Sequence, residues 1–282
     1  MNNLYFIAEL GQNHQGSLKI AQKMVDALEG SGISAIKTAK RDIDTCLTEE
    51  QKNMIYDNPN SFGRTYYEHR KALELSHSDF EELKYYIEGK GFDFIPSYTD
   101  IPSFDFIKKL GCKKIKIASQ RITDYELLNH TAENFDGDVY MSSGMSTFED
   151  IDNMIDIFKN NDKFLLQCTS VYPCPDDIID LRVLKKYRKR YKKVIKKFGF
   201  SGHNMSIAPD IAAFTLGARI IERHFTLDRQ MKGTDHPGSL ELYSIMKLIK
   251  YLKQTAQALG DSEKKIQVAE YPAIEKLRGD LK

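Results

Sequence analysis

Two apolar segments in succession end on a histidine, Phe198-Gly-Phe-Ser-Gly-His203 and Ala218-Arg-Ile-Ile-Glu-Arg-His-Phe225. If both are parallel strands of one sheet, their ends lie side by side, and two imidazoles so placed can hold one divalent cation with coordination positions left open. Such a cation polarises a carbonyl oxygen as a Lewis acid. Glu222 shares the face of His224, because alternate residues of a strand point the same way. His69, His77 and His130 have no such setting and read as core or surface residues.

Two lysines stand where strand interiors call for aliphatic side chains. In Ile115-Lys-Ile-Ala-Ser119, Lys116 and Ala118 take one side while Ile115 and Ile117 take the other, which turns the ammonium inward. Lys37 occupies the equivalent place in an earlier strand. Around them, at the C-terminal ends of apolar segments, fall Glu9, Asn13, His14, Ser97, Ser119, Ser142, Ser143, Thr169, Ser170, Tyr172 and Ser201. Inward ammoniums ringed by hydroxyls suit a small, multiply charged anion, with phosphate and carboxylate both in reach. The structural alternative pairs the lysines with Glu9 and Glu222 inside the sheet.

Those residues need a scaffold that gathers eight strand ends. Short β-branched or aromatic runs alternate with amphipathic stretches, the pattern of a parallel sheet with crossover helices. Strands are expected at 5–10, 35–40, 93–98, 114–119, 138–143, 163–169, 194–201 and 219–225, and helices at 17–30, 78–89, 123–133, 147–159, 180–192 and 239–259. Ser78 with Glu81 reads as one helix start. The fold class is α/β, a single-domain (β/α)8 TIM barrel over residues 1–260, whose active site belongs at the C-terminal ends of the strands. Residues 261–282 form a short polar tail that is too small to fold alone.

The connection from Arg41 to His77 is far longer than an ordinary βα loop, and its turn residues suggest two short helices. Following a strand, it sits on the catalytic face, either as a lid or as a decoration of the rim. The basic run Lys185–Lys197 reads as a solvated outer helix with cations near its C-terminal end.

Composition narrows the class of partner. Lys and Arg number 41 against 40 Asp and Glu, which argues against a dedicated nucleic-acid binder. No run approaches the ~20 apolar residues of a membrane span, and Met1 to Phe6 carries no leader pattern. A cytoplasmic location is therefore expected. The four cysteines, Cys46, Cys112, Cys168 and Cys174, include no CxxC pair and are taken as reduced. Neither a nucleic-acid nor a membrane partner is expected, and a homodimer is left open.

In order along the chain, Ile7-Ala-Glu-Leu-Gly-Gln-Asn-His-Gln-Gly16, Lys116-Ile-Ala-Ser119, Ser142-Ser-Gly-Met145, Gln167-Cys-Thr-Ser-Val-Tyr-Pro-Cys-Pro175, Ser201-Gly-His203 and Ile221-Glu-Arg-His-Phe225 resemble the N-acetylneuraminate (sialic acid) synthase family. The resemblance spans about Tyr5 to Ser239. It implies a transferase that condenses phosphoenolpyruvate with the open-chain aldehyde of an aminosugar, giving a 2-keto-3-deoxy sugar acid and phosphate for polysaccharide biosynthesis. His203 and His224 would hold the metal, Mn²⁺ in first place and Co²⁺ or Mg²⁺ as substitutes, and Glu9 would handle protons near the forming bond. Lys37, Ser97, Lys116, Ser119, Ser142, Ser170 and Ser201 would bind phosphoenolpyruvate, while Tyr172 and Asp235 match positions that contact the sugar.

Three departures bear on the acceptor. Ala39 stands where the family usually has glutamine, Arg121 where it has glutamate, and Gly202 where it has aspartate. The small antifreeze-like C-terminal domain of sialic acid synthases has no counterpart in these residues. Replacing a carboxylate by a guanidinium inverts what that wall prefers, so Arg121, aided by Lys40 and Arg41, points to an anionic acceptor other than N-acetylmannosamine. The alternatives are a sialic, legionaminic or pseudaminic acid synthase without its accessory domain, or a non-catalytic barrel subunit.

Overall fold

The computed structural model describes residues 4–279. Eight parallel strands close into a barrel in sequence order: β1 (Tyr5–Glu9), β2 (Ala35–Lys40), β3 (Asp93–Tyr98), β4 (Lys114–Ile117), β5 (Asp138–Ser142), β6 (Lys163–Cys168), β7 (Lys197–Gly202) and β8 (Ile220–His224). Side chains alternate along each strand. The outward set packs with the surrounding helices into the main core, including Phe94, Ile115, Met141 and Phe200. The inward set fills the barrel in layers.

At the bottom, Tyr5 hydrogen-bonds Asp93, Lys114 pairs with the same carboxylate, and Tyr5, Tyr140 and Phe164 stack. Above them Ile7, Ala35, Ile95, Leu166 and Ile220 form a small apolar layer. The top layer is polar. Register fixes its order, with Glu9 level with Lys37 on one side and His224 on the other. Ser97 lies opposite Lys116, and Ser201 lies between Cys168 and Glu222.

Some boundaries differ from the sequence expectation. β4 stops at Ile117, and Ser119–Arg121 form a 3₁₀ turn instead of extending the strand. The helix expected from Ser78 begins at His77 with Ser76 as its cap, the Ser76 hydroxyl accepting from the Asp79 N–H. The 41–77 connection holds three short helices, not two: Ile43–Cys46, Glu49–Asn53 and Tyr66–Ala72. Each opens on a side-chain cap, Asp42, Thr48 and Thr65, the last two as reciprocal capping boxes with Gln51 and Glu68.

That connection lies across the barrel mouth. Asn60 accepts from the Gly233 N–H at 3.2 Å, and the Lys232 ammonium lies 4.8 Å from the Phe62 ring. His69 is the buried centre of the insertion, packed against Tyr56, Phe62 and Tyr66. The basic run lies on the helix Val183–Tyr191, where Leu184, Tyr187 and Tyr191 face inward and the lysines face solvent. Beyond Gly260 come a 3₁₀ turn, Val268–Glu270, and a helix, Tyr271–Arg278, neither with a buried residue. Among the described residues no helix is long and apolar enough to cross a membrane.

Candidate active site

The polar layer forms the floor of a cavity of about 370 Å³ at the C-terminal ends of the strands. Glu9, Lys37, Ser97, Lys116, Ser119, Ser142, Ser170, Tyr172, Ser201, His203, Glu222, His224 and Asp235 all line it. Both readings of the lysines hold at once: they face the cavity, and each pairs with an acid. Lys37 pairs with Glu9, while the Lys116 ammonium lies 2.7 Å from Glu222. Glu222 also accepts from the Ser201 hydroxyl at 2.9 Å, and Glu9 accepts from the Gly11 N–H at 2.7 Å.

Charge is balanced tightly there. Burial works against the Glu222 carboxylate, but Lys116 and Lys37 outweigh it and hold its pKa below the usual range. Burial also opposes the Lys37 charge, and Glu9 and Glu222 overcome it, raising that pKa. Lys116 goes the other way, lowered by burial and by neighbouring Lys37 despite Glu222. Glu222 is thus firmly ionised, and Lys116 is the cation that an added anion would stabilise most.

Beside the lysines, hydroxyls converge on the turn after β5. The Gly144 N–H donates to Ser119 at 3.1 Å, and Ser119 and Ser170 flank the Cys168 sulfur at 3.6 and 3.8 Å. Gly144 has no room for a side chain: a Cβ would stand 2.2 Å from the Ser170 hydroxyl and 2.7 Å from that of Ser119.

On the opposite wall the imidazoles of His203 and His224 lie 5.4 Å apart between ring centroids. His203 Nδ1 is 3.0 Å from the Thr169 carbonyl, an acceptor only, so Nδ1 carries a hydrogen and Nε2 is the nitrogen left to take a cation. Burial opposes the charged ring, but Cys168 and the Thr169 carbonyl outweigh it and raise the His203 pKa, so a cation there would have to displace a proton. His224 Nδ1 is buried without a hydrogen-bond partner among the described residues, 3.7 Å from an Asp235 oxygen. Burial lowers the His224 pKa and favours the neutral, coordinating form. Among the described residues no group of three or more His, Cys, Asp or Glu is arranged to hold a metal. A cation here would have the two imidazoles as protein ligands and complete its shell from water or substrate. Tyr172 covers this wall, its ring 4.0 Å from that of His203.

Arg121 is a correction. The sequence reading put it on the acceptor wall, but the 3₁₀ turn carries its side chain into a neighbouring pocket with Thr99 and Asp100, where it pairs with Asp124 at 3.1 Å. Gln120 lines the central cavity instead. Lys40 is likewise committed elsewhere, to Glu74 and the Leu75 carbonyl. Asn13 is a structural pin, donating to Phe225 and Ser239, and His14 accepts from the Gly16 N–H. Arg41 does reach the cavity, joined by Arg70 and Tyr66 from the insertion. Sequence reasoning missed Arg70, although the Thr65-x-x-Glu68 box already marked the helix that carries it.

Residues 24–264 match the NeuB family. Over 275 residues the chain is 34% identical to N-acetylneuraminate-9-phosphate synthase of Homo sapiens, covering 97% of this chain and 76% of that one. It is 30% identical to N,N'-diacetyllegionaminic acid synthase of Campylobacter jejuni, covering 100% of this chain and 85% of that one. The crystal structure of the N-acetylneuraminic acid synthetase from Leptospira borgpetersenii, in complex with citrate, superposes with a TM-score of 0.83 at 27% identity. It covers 99% of this chain and 92% of that one.

Proposed function

Because the chain belongs to the NeuB family, we propose that it condenses phosphoenolpyruvate with the open-chain aldehyde of a sugar, forming a 2-keto-3-deoxy sugar acid and releasing phosphate. Similar relatives are named as synthases of such acids. The observation that carries the reading is one cavity in which buried lysines and serine hydroxyls face a pair of histidines. An anion site for the donor then lies beside a site where a carbonyl can be polarised.

In this scheme Lys37, Lys116 and the hydroxyls of Ser97, Ser119, Ser142, Ser170 and Ser201 bind the carboxylate and phosphate of phosphoenolpyruvate. They hold its methylene carbon toward the aldehyde. That carbon attacks the aldehyde carbon, the former carbonyl oxygen takes a proton to become a hydroxyl, water adds at the enol carbon, and phosphate leaves to give the ketone. Glu9, held between Lys37 and the Gly11 N–H, accepts the proton of the attacking water. Tyr172 and Asp235, beside the histidines, orient the sugar. A divalent cation on His203 and His224, Mn²⁺ or in its place Co²⁺ or Mg²⁺, supplies Lewis acidity toward the aldehyde oxygen.

The test is phosphate release from phosphoenolpyruvate across a panel of neutral and charged aldoses, with the keto acid identified by mass spectrometry. Excess chelator, or His224→Ala, should cut turnover by roughly a thousandfold, since carbonyl polarisation contributes several kcal/mol at the transition state. Re-added Mn²⁺ should restore the chelated wild type. Phosphate release that needs no aldose would overturn the condensation, and full turnover in excess chelator would overturn the metal assignment.

A further inference from the structure

The rim of the cavity carries positive charge that the protein does not neutralise. Lys37, Ala39 and Arg41 alternate along one face of β2 and its continuation, so the Arg41 Cα stands roughly 13 Å above that of Lys37. All three line the cavity, and the small Ala39 leaves the wall between the two cations open. Glu74 is the carboxylate nearest this corner, but it is shared: Lys40 takes it at 3.0 Å and Arg41 only at 3.6 Å. The buried Arg41 Nε has no hydrogen-bond partner among the described residues. Arg70 forms no ion pair or side-chain hydrogen bond among the described residues; its guanidinium lies 5.9 Å from the Tyr66 ring, and Glu74 and Asp235 act on it only at longer range. Three cations thus face one carboxylate, an excess of two charges. Asp235, the other acid near this corner, is turned to His224.

Holding two guanidiniums together in a partly buried wall costs free energy unless an anion joins them. Burial and then Arg41 lower the Arg70 pKa, the signature of that cost. Guanidinium forks match phosphoryl oxygens, and an excess of two charges matches a dianion. We propose that Arg41 and Arg70 form an anion subsite that binds a phosphoryl group at the far end of the acceptor sugar. The enzyme then selects phosphorylated open-chain aldoses over neutral ones. The inference rests on the synthase reading above and adds the class of acceptor to it. The donor lies on the floor, the aldehyde beside the histidines, and the distal phosphate at the rim under the insertion.

The experiment uses the full chain with phosphoenolpyruvate and a matched pair of acceptors, N-acetylmannosamine and its 6-phosphate, with a uronic acid as a third arm. In wild type, kcat/KM for the phosphorylated sugar should exceed that for the neutral one. In Arg70→Met, which keeps the alkyl stem, and in Arg41→Met, the ratio of the two should fall roughly ten- to a hundredfold, as expected for loss of one charge-assisted contact. A ratio at or below one in wild type, or a ratio unmoved in both variants, overturns the subsite while leaving the synthase standing. Preference for the uronic acid over the phosphate overturns the phosphoryl assignment. If no sugar is turned over, the synthase reading falls, and calorimetric titration with the 6-phosphate alone decides the subsite. Binding to wild type that both variants lose supports it, and binding that is absent or unchanged overturns it.

Discussion

Single atoms decide how the donor half of the cavity is built, and Gly144 shows this most sharply. The turn after β5 brings its backbone so close to Ser119 and Ser170 that a methyl group would overlap both hydroxyls. Both are short side chains on separate strand ends, with no flexible stem to swing aside, so the loop itself would have to retreat. Gly144→Ala should therefore raise the KM for phosphoenolpyruvate at least about tenfold through loss of hydroxyl contacts. Because the turn sits at the rim of a cavity and not in the packed core, the melting temperature should stay near that of wild type. Steady-state kinetics with varied phosphoenolpyruvate checks the first point and a thermal melt the second. An unchanged KM would remove Ser119 and Ser170 from the donor site. Arg121 makes the opposite lesson at this scale, since a residue type that invites a functional reading is spent on an ion pair with its near neighbour Asp124.

At the scale of elements, β8 carries three charged or ionisable residues in a row, and the strand sorts them. Glu222 and His224 face the cavity, while Arg223 turns outward into a buried pair with Asp210 at 2.6 Å, at the start of the helix Ala208–Thr215. Removing one member of such a pair leaves an uncompensated buried charge, so Asp210→Ala should destabilise the fold by about 3–5 kcal/mol. A guanidinium unfolding curve with an unshifted midpoint would refute that role. The same alternation explains what could be read from the sequence. Strand period and inward polar residues gave the barrel, the lysines, the serines and both histidines, because all of these sit within regular strands or at most two residues beyond them. The reading failed where the period changes. From Ser119 the backbone is a 3₁₀ turn, so the rule that residues two apart share a face no longer holds, and Arg121 leaves the cavity that Ser119 lines. Arg70 was missed for a related reason. Its helix, Tyr66–Ala72, spans two turns, too few for a hydrophobic period to say which face it presents.

The whole molecule holds several imidazoles neutral in its interior, and this ties its stability to pH. His14, His69, His224 and His236 all have pKa values lowered, in each case first by burial. His14 is the clearest. It is pushed down to about 4 by burial and by Arg41, and its Nδ1 must stay unprotonated to accept from the Gly16 N–H. In the unfolded chain the same ring titrates near 6.5, so between about 6.5 and 4 the unfolded state binds a proton that the folded state refuses. Its contribution is fully present above pH 6.5 and lost as pH falls toward 4, amounting to about 3 kcal/mol. Asp210 has the opposite sign: burial raises it to about 6, so its protonation favours the folded state over part of the same range. The total pH profile therefore mixes the two, and the test is a difference. In His14→Asn the amide oxygen can still accept from the Gly16 N–H but does not titrate. Unfolding free energies of wild type and variant should run parallel above pH 7 and then diverge, with wild type losing about 3 kcal/mol relative to the variant by pH 4. Parallel curves across the whole range would mean that the folded protein accepts the His14 proton as readily as the unfolded chain does.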